Sequence, residues 1–401
     1  MVTSMEELPL LRISDPDFFR DSPEVLAARS QGWGARTEHG IAVLRYDAVK
    51  ALINDPRLVN GLRNWTRLNG VTSGPWAEFF PTLVVNLEGE DHHRIRRLIN
   101  PALAPRVANA HAPRFEALAN ELIDQFIDAE HCEFVEDFAA PYALQVLCIL
   151  LGIPLDDAPM IARWAADLSH AFTTSLPRQL PRIEAALGEL TDYVEDLIER
   201  RRRQPGGENL VSRLIQIEQD DDDRLSAAEL RMMLASVLMG GSETTRKQLG
   251  FAMHTFIEHQ DQWRMLADRP DLGEAAVNEV MRINPTISWI AREAIVDFNY
   301  EGVDIPKGTV LHLFTQAAGT DPSVGADPSF DITAERPSHF GFGAGVHHCA
   351  GHFVARRDMA VALTVLARRL RDPWVDGEPR WLPLSATTGP ICLPVSFTRG
   401  E

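Results

Sequence analysis

Apolar positions recur at helical spacing through most of the chain. They predict helices over about 91–104, 112–129, 141–151, 157–172 and 179–203, the last ending on Arg200–Arg203, where a helix dipole favours cations. Pro23–Ala28 predicts an earlier helix, with Ser22 as its N-cap and Pro at the first helical position. Ile41–Arg45 alternates as a strand does. Tyr46–Ile53 predicts a short helix that stops before Asp55-Pro56. Ser226-Ala-Ala-Glu229 is a capping box that opens a long apolar helix running to about His259. Asp271-Leu-Gly-Glu274 opens another in the same style, ending before Pro285, and a last long helix covers about 350–371.

Asn60–Val85 is rich in Gly, Asn, Trp and Phe without a steady period, which predicts a long functional loop. The acidic run Asp220–Asp223 predicts a solvated loop. From Ile287 to Val310 the texture changes to short strands, with turns at Gly302 and Lys307-Gly308. Pro, Gly and Asp dominate 319–345, and short apolar pieces ending at Phe397 close the sequence. No internal repeat or dividing linker stands out. The expected fold class is mainly α with a small β-rich part, as a single domain over 1–401.

Composition narrows the function. Hydrophobic residues at 45% and charged residues at 24% are ordinary for a globular protein and exclude disordered and low-complexity classes. The net charge of −18 argues against a nucleic-acid partner, which needs a large cationic surface, and against an anionic membrane surface. Residues 1–30 scatter charges where a signal peptide has an apolar core, so neither a leader nor a membrane anchor is expected. The apolar stretch Tyr142–Pro154 is short of the about 20 residues that span a bilayer. Cys132, Cys148, Cys349 and Cys392 form no CxxC pair and no disulfide framework, so a reducing cytoplasm is the expected compartment.

One cysteine has unusual neighbours: Phe342-Gly343-Ala344-Gly345-Val346-His347-His348-Cys349-Ala350-Gly351. Glycines before it permit a tight turn that brings N–H groups toward the sulfur. The following helix N-terminus favours a thiolate, and Gly351 leaves room for something flat. The residues alone admit three readings: an axial thiolate ligand beside a planar cofactor, a buried structural thiol, or a zinc cluster of His347, His348, His352 and Cys349.

The whole pattern resembles the haem-thiolate signature of the cytochrome P-450 family, Phe-Gly-x-Gly-x-His-x-Cys-x-Gly. That resemblance makes Cys349 the ligand of a haem b iron, with Phe342, Gly343 and Gly351 shaping the loop and His347 contacting a haem propionate. It implies the family's helical fold around a buried haem.

Three further elements follow the family's order. His92 and Arg96 stand one turn apart on a helix, where the bare sequence also suits an ordinary cationic surface. They resemble the family's propionate clamp, as does Arg292. Glu279 and Arg282, at i and i+3, suit a surface ion pair but resemble the family's buried Glu-x-x-Arg pair, a structural feature. Gly240-Gly241-Ser242-Glu243-Thr244-Thr245 lies inside the long helix, where paired glycines cost roughly 1 kcal/mol each and favour a kink. It resembles the oxygen-activation element. Thr244 then hydrogen-bonds dioxygen, Glu243 relays protons, and Gly241 lies against the cofactor. Arg246 and Lys247 depart from the family's small or apolar residues there. Asp327-Pro-Ser-Phe-Asp331 also lacks the arginine that usually completes the Glu279–Arg282 network, with Arg336 as a substitute nearby.

The resemblance implies a monooxygenase that hydroxylates or epoxidises an apolar small molecule of terpenoid, steroid or polyketide type. With no flavin or nicotinamide fingerprint, it implies a ferredoxin and ferredoxin reductase as electron donors. Part of the basic cluster Arg356, Arg357, Arg368, Arg369 and Arg371, set against Asp358 and Asp372, is expected to form a docking face; ordinary helix-surface charge is the alternative. By resemblance the pocket draws on part of Asn60–Leu87, the Leu168–Pro181 connection, Gly240, Gly241, Ile287–Ala291 and Thr388–Ile391. Phe79, Phe80, Val84, Val85, Ile287, Trp289, Ile290 and Ile391 are candidate lining residues. A haem-thiolate peroxygenase or radical-coupling oxidase is the second reading, and a non-catalytic haem- or metal-binding protein the third.

Overall fold

The computed structural model describes residues 5–15, 18–20, 22–173, 175–204, 206–207, 209–220, 225–325 and 327–400. Residues 221–223 of the acidic run therefore lie outside the described residues. Helices dominate, and one large apolar core binds them together. Much of it forms where the helix His352–Arg369 packs against Pro105–Ile123 and Gly273–Ile283. A second cluster lies around a five-stranded mixed sheet ordered Gly34–Thr37, Gly40–Val43, Val310–Phe314, Trp289–Ala294 and Leu58–Asn60. Only the Gly40–Val43 and Val310–Phe314 pair runs parallel.

The capping box forms as expected: Glu229 N–H donates to Ser226 Oγ, and Ser226 N–H donates to the Glu229 carboxylate at 2.9 Å. The helix it opens breaks at Ser242, giving Ala227–Gly241 and Glu243–Glu258. This break is the expected kink. The box expected at Asp271 does not form. Asp271 is drawn into an ion pair with Arg269, and the helix begins at Gly273 without a side-chain cap.

Asn60–Val85 is not an open loop. It holds the single-turn helices Trp65–Leu68 and Pro75–Phe79, each too short to show a period in sequence. Trp76 and Phe80 are fully buried, and Phe80 packs on Phe172. The helix Leu210–Asp220, which the sequence reading passed over, buries Leu210, Val211, Leu214 and Ile215 along one face. The apolar run before Gly152 is also longer than expected. A π-type turn at Phe134–Ala139 joins the helix Ala140–Leu151, so 18 consecutive residues have the length and composition of a membrane span. Most of that stretch is buried in the core.

Candidate active site

The segment leading to Cys349 is a chain of turns with two glycines in the left-handed region, Gly343 at φ 70° and Gly345 at φ 68°. At Gly345 the left-handed angle favours glycine, and a Cβ there would also displace the Asn54 side chain. Gly343 N–H donates to the Phe340 carbonyl at 2.8 Å, and Cys349 N–H donates to the Phe342 carbonyl at 2.9 Å. These bonds fix the loop just ahead of the helix that begins at His352.

Cys349 is half-buried. Burial pushes its pKa up, against the opposing pull of the Gly351 N–H and the Arg96 charge. The loop glycines are not what reaches the sulfur; Gly351 is. Protein surroundings alone therefore do not ionise this thiol, whereas a bound metal deprotonates a coordinating thiol outright.

Cationic and imidazole groups from distant parts of the chain gather beside it. His92 and Arg96 project from the helix Gly89–Ile99. The His92 and His347 rings stand 4.3 Å apart. Arg96 donates to the His348 carbonyl at 2.8 Å. Arg292, from the strand Trp289–Ala294, is buried and donates weakly to the Ile53 carbonyl at 3.4 Å. Glu88, one turn before His92, was missed in sequence. Its carboxylate lies 3.3 Å from His347 Nε2 and accepts from Asn60 N–H at 2.9 Å. Burial works to raise its pKa, but His347, Asn60 N–H and Arg292 together bring it down to about 2.

These residues fit a planar dianionic group with an iron centre. Both ring nitrogens of His92 are buried with no protein partner. Desolvation lowers the pKa of this ring to about 4, so at neutral pH it keeps one N–H donor and one acceptor. No atom lies within 4 Å of where a Cβ would stand on Gly351 or Gly240. Gly241 is placed otherwise: a Cβ there would lie 2.8 Å from Leu147, so this glycine admits the neighbouring helix. Among the described residues no group of three His, Cys, Asp or Glu side chains stands ready to hold a metal ion, so the zinc cluster does not form.

At the break in the long helix, Thr244 donates to the Gly240 carbonyl at 3.2 Å. Glu243 sits in the first turn of the second half, where the dipole favours an anion. Arg246 grips both its oxygens, at 3.1 and 2.7 Å.

Behind the cysteine loop, Arg282 spends five hydrogen bonds: two on Glu279 at 2.7 Å and three on the carbonyls of Gly319, Asp327 and Ser329. The segment lacking the usual arginine thus still supplies carbonyls. Arg336 Nε stands 3.5 Å from Glu279 and is the third member of the network.

Comparison with known proteins gives the family. The cytochrome P450 family model matches residues 75–377. Luteothin monooxygenase of Streptomyces thioluteus is 37% identical over 98% of this chain and 97% of its own length. The chain belongs to the cytochrome P450 family. Mycinamicin IV hydroxylase/epoxidase of Micromonospora griseorubida is 33% identical over 89% of each chain. The crystal structure of CalO2 superposes with a TM-score of 0.90 at 28% identity, covering 98% of this chain and 100% of that one. The protein is a P450 monooxygenase with haem b as its cofactor, acting on a small organic molecule of secondary metabolism.

The candidate pocket residues divide. Trp289 is half-buried; it stacks on Phe314, stands edge-on to His312 and packs against the third apolar cluster. Phe80 is core, and Phe79 and Val84 pack against it. Ile290 packs on the sheet's cluster. Val85 is exposed, while Ile287 and Ile391 are half-buried.

The basic cluster also divides. Arg356 and Arg357 both approach Glu274, Arg368 pairs with Glu116, and Arg369 with Asp124. Asp358 is not on the surface at all: it is buried, and burial raises its pKa well above the usual carboxylate range. What remains is a cleft of about 460 Å³ whose lining includes Arg336, His339, His348, His352 and Arg356.

Proposed function

We propose that Cys349 ligates the haem iron, that His92, Arg96, His347 and Arg292 hold the propionates, and that Thr244 and Glu243 manage protons for oxygen activation. The carrying observation is the convergence of His92, Arg96, His347 and Arg292 beside Cys349, with His92 alone lacking any protein partner. The bound haem supplies the dioxygen chemistry. The chain's part is orientation and proton handling. Arg96 and Arg292 meet anionic carboxylates with planar forks. Gly351 N–H holds negative charge at Sγ. Thr244, whose hydroxyl donates to the Gly240 carbonyl at 3.2 Å, would hold a proton at Oγ1 beside the break in the helix.

The substrate we assign is a small apolar natural product, the polyketide type included, because the two relatives carry names of enzymes acting on luteothin and on mycinamicin IV. Val85, Gly240, Ile287 and Ile391 are its candidate contacts, with Val84 and Ile290 supporting them from the core. Electrons come from a ferredoxin and its reductase, docking at the cleft around Arg356. A cytoplasmic setting suits four cysteines that are all free thiols.

Thr244→Ala tests the proton assignment. It retains haem but diverts reductant into peroxide. Coupling equal to the wild type would show that another group donates.

A further inference from the structure

Lys247 is a buried lysine near the start of the helix Glu243–Glu258. Its side chain is 8% exposed, and burial lowers its pKa. A buried ammonium is costly unless its charge and donors are met. Two groups meet them. Thr387 Oγ1 accepts from Nζ at 3.4 Å, and the Glu243 carboxylate lies 3.9 Å away.

The stem of the same lysine is fixed by a close approach. Gly389, at φ +159°, would place a Cβ 2.7 Å from Lys247 Cβ. The 385–389 segment is itself tied down. Ser385 Oγ donates to the Thr387 carbonyl at 2.6 Å, Thr388 N–H donates to Thr286, and Thr286 Oγ1 donates to the Thr388 carbonyl at 2.6 Å. An isolated bridge pairs Ile287 with Thr387. Lys247 thus stands between the acid at the helix break and the segment that pairs beside Ile287.

Arg246 and Lys247 share Glu243 unequally. Arg246 holds both oxygens through a fork built entirely within one helical turn. To take a proton from solvent, the carboxylate must loosen from that fork. Lys247 is then the remaining cation, and its position is set from outside the helix.

We propose that Lys247 is a positioning residue for Glu243, transmitting the placement of the Thr387 segment to the acid of the oxygen-activation turn. The proposal rests on the assignment of Glu243 as a proton relay. A ligand that presses on the Ile287–Thr387 bridge shifts the Lys247 ammonium and, through it, the carboxylate.

The test compares Thr387→Val, Lys247→Met, Lys247→Arg and Glu243→Gln in the holoenzyme. Thr387→Val removes the tether and leaves the buried ammonium in place, so it serves if Lys247→Met folds poorly. Two quantities are read: peroxide formed per reductant consumed, and amide hydrogen exchange over residues 243–247. The expected result is a severalfold larger peroxide share in Thr387→Val and Lys247→Met, restored toward the wild type in Lys247→Arg. Exchange over 243–247 is expected to quicken severalfold in Thr387→Val. Wild-type coupling and exchange in both Thr387→Val and Lys247→Met, with Glu243→Gln uncoupled, would overturn the positioning role alone. Wild-type coupling in Glu243→Gln would overturn the relay on which it rests.

Discussion

His92 and His347 lie ring against ring, with centroids 4.3 Å apart and planes tilted by 40°. Their hydrogen bonding differs sharply. His347 Nε2 faces Glu88, while both nitrogens of His92 are buried without a partner. A buried polar ring left unsatisfied is costly, so the arrangement makes sense when a bound carboxylate accepts from it.

His92→Phe keeps the ring stack and removes the donor. Haem loss to a competing acceptor should quicken about tenfold to a hundredfold, the value of a hydrogen bond to a charged group at about 1.5–3 kcal/mol. Circular dichroism should be unchanged. Equal loss rates would remove His92 from the clamp.

Glu279→Gln leaves the Arg282 guanidinium buried without its countercharge. Breaking a buried pair in this way costs about 3–5 kcal/mol, to be read in urea unfolding. Arg336→Gln should cost much less, because Arg336 meets Glu279 at 3.5 Å from the edge of the network while Arg282 makes two 2.7 Å bonds. Equal costs would mean that the two arginines share the load.

Asp358 has a folded pKa raised by burial, so the folded chain holds its proton more tightly than the unfolded chain. Its contribution to stability is therefore fully present below the ordinary carboxylate pKa and is lost as pH rises toward the raised one. The loss is about 1.4 kcal/mol for each pH unit crossed in that window. Asp358→Asn removes the titration. It should raise the melting temperature at pH 7 and leave it nearly unchanged below pH 4. A destabilised variant at pH 7 would show that Asp358 is ionised.

His312, in the central sheet, is pushed by burial to about 4. Between about pH 6.5 and 4 the unfolded chain binds a proton that the folded chain refuses, so stability falls as pH falls through that window. His312→Leu should flatten part of this fall. His92 and His339, also lowered to about 4, should account for more of it. An unchanged slope would contradict the burial of His312 as a neutral ring.

The helical class, the capping box at Ser226 and the break near Ser242 were legible because each is local: a period, a cap and a pair of glycines. The cysteine loop was legible because its glycines answer to left-handed angles at Gly343 and Gly345. Contacts across the chain were not. Glu88 reads as one of many acids until His347 is brought against it. Phe80 reads as a pocket aromatic, yet tertiary packing buries it fully in the large core. Asp358 reads as surface charge because a single polar residue in a helix carries no sign of which face is covered. Arg336, named in the sequence as a substitute for the missing arginine, does stand 3.5 Å from Glu279.

Reversing the charge at Arg356 should weaken ferredoxin-supported turnover at low salt, while turnover with a small-molecule reductant stays unchanged. Glu274 already shares Arg356 and Arg357, so the effect should be larger for Arg356, which also lines the cleft. Equal turnover for the Arg356→Glu variant and the wild type would move the docking face elsewhere.

The most direct test of the central claim is the absorbance of the reduced carbon monoxide complex. Wild-type protein should show the red-shifted Soret band of thiolate ligation, and Cys349→Ala should lose it. A wild-type band typical of histidine ligation, or an unaltered thiolate band in Cys349→Ala, would contradict Cys349 as the iron ligand.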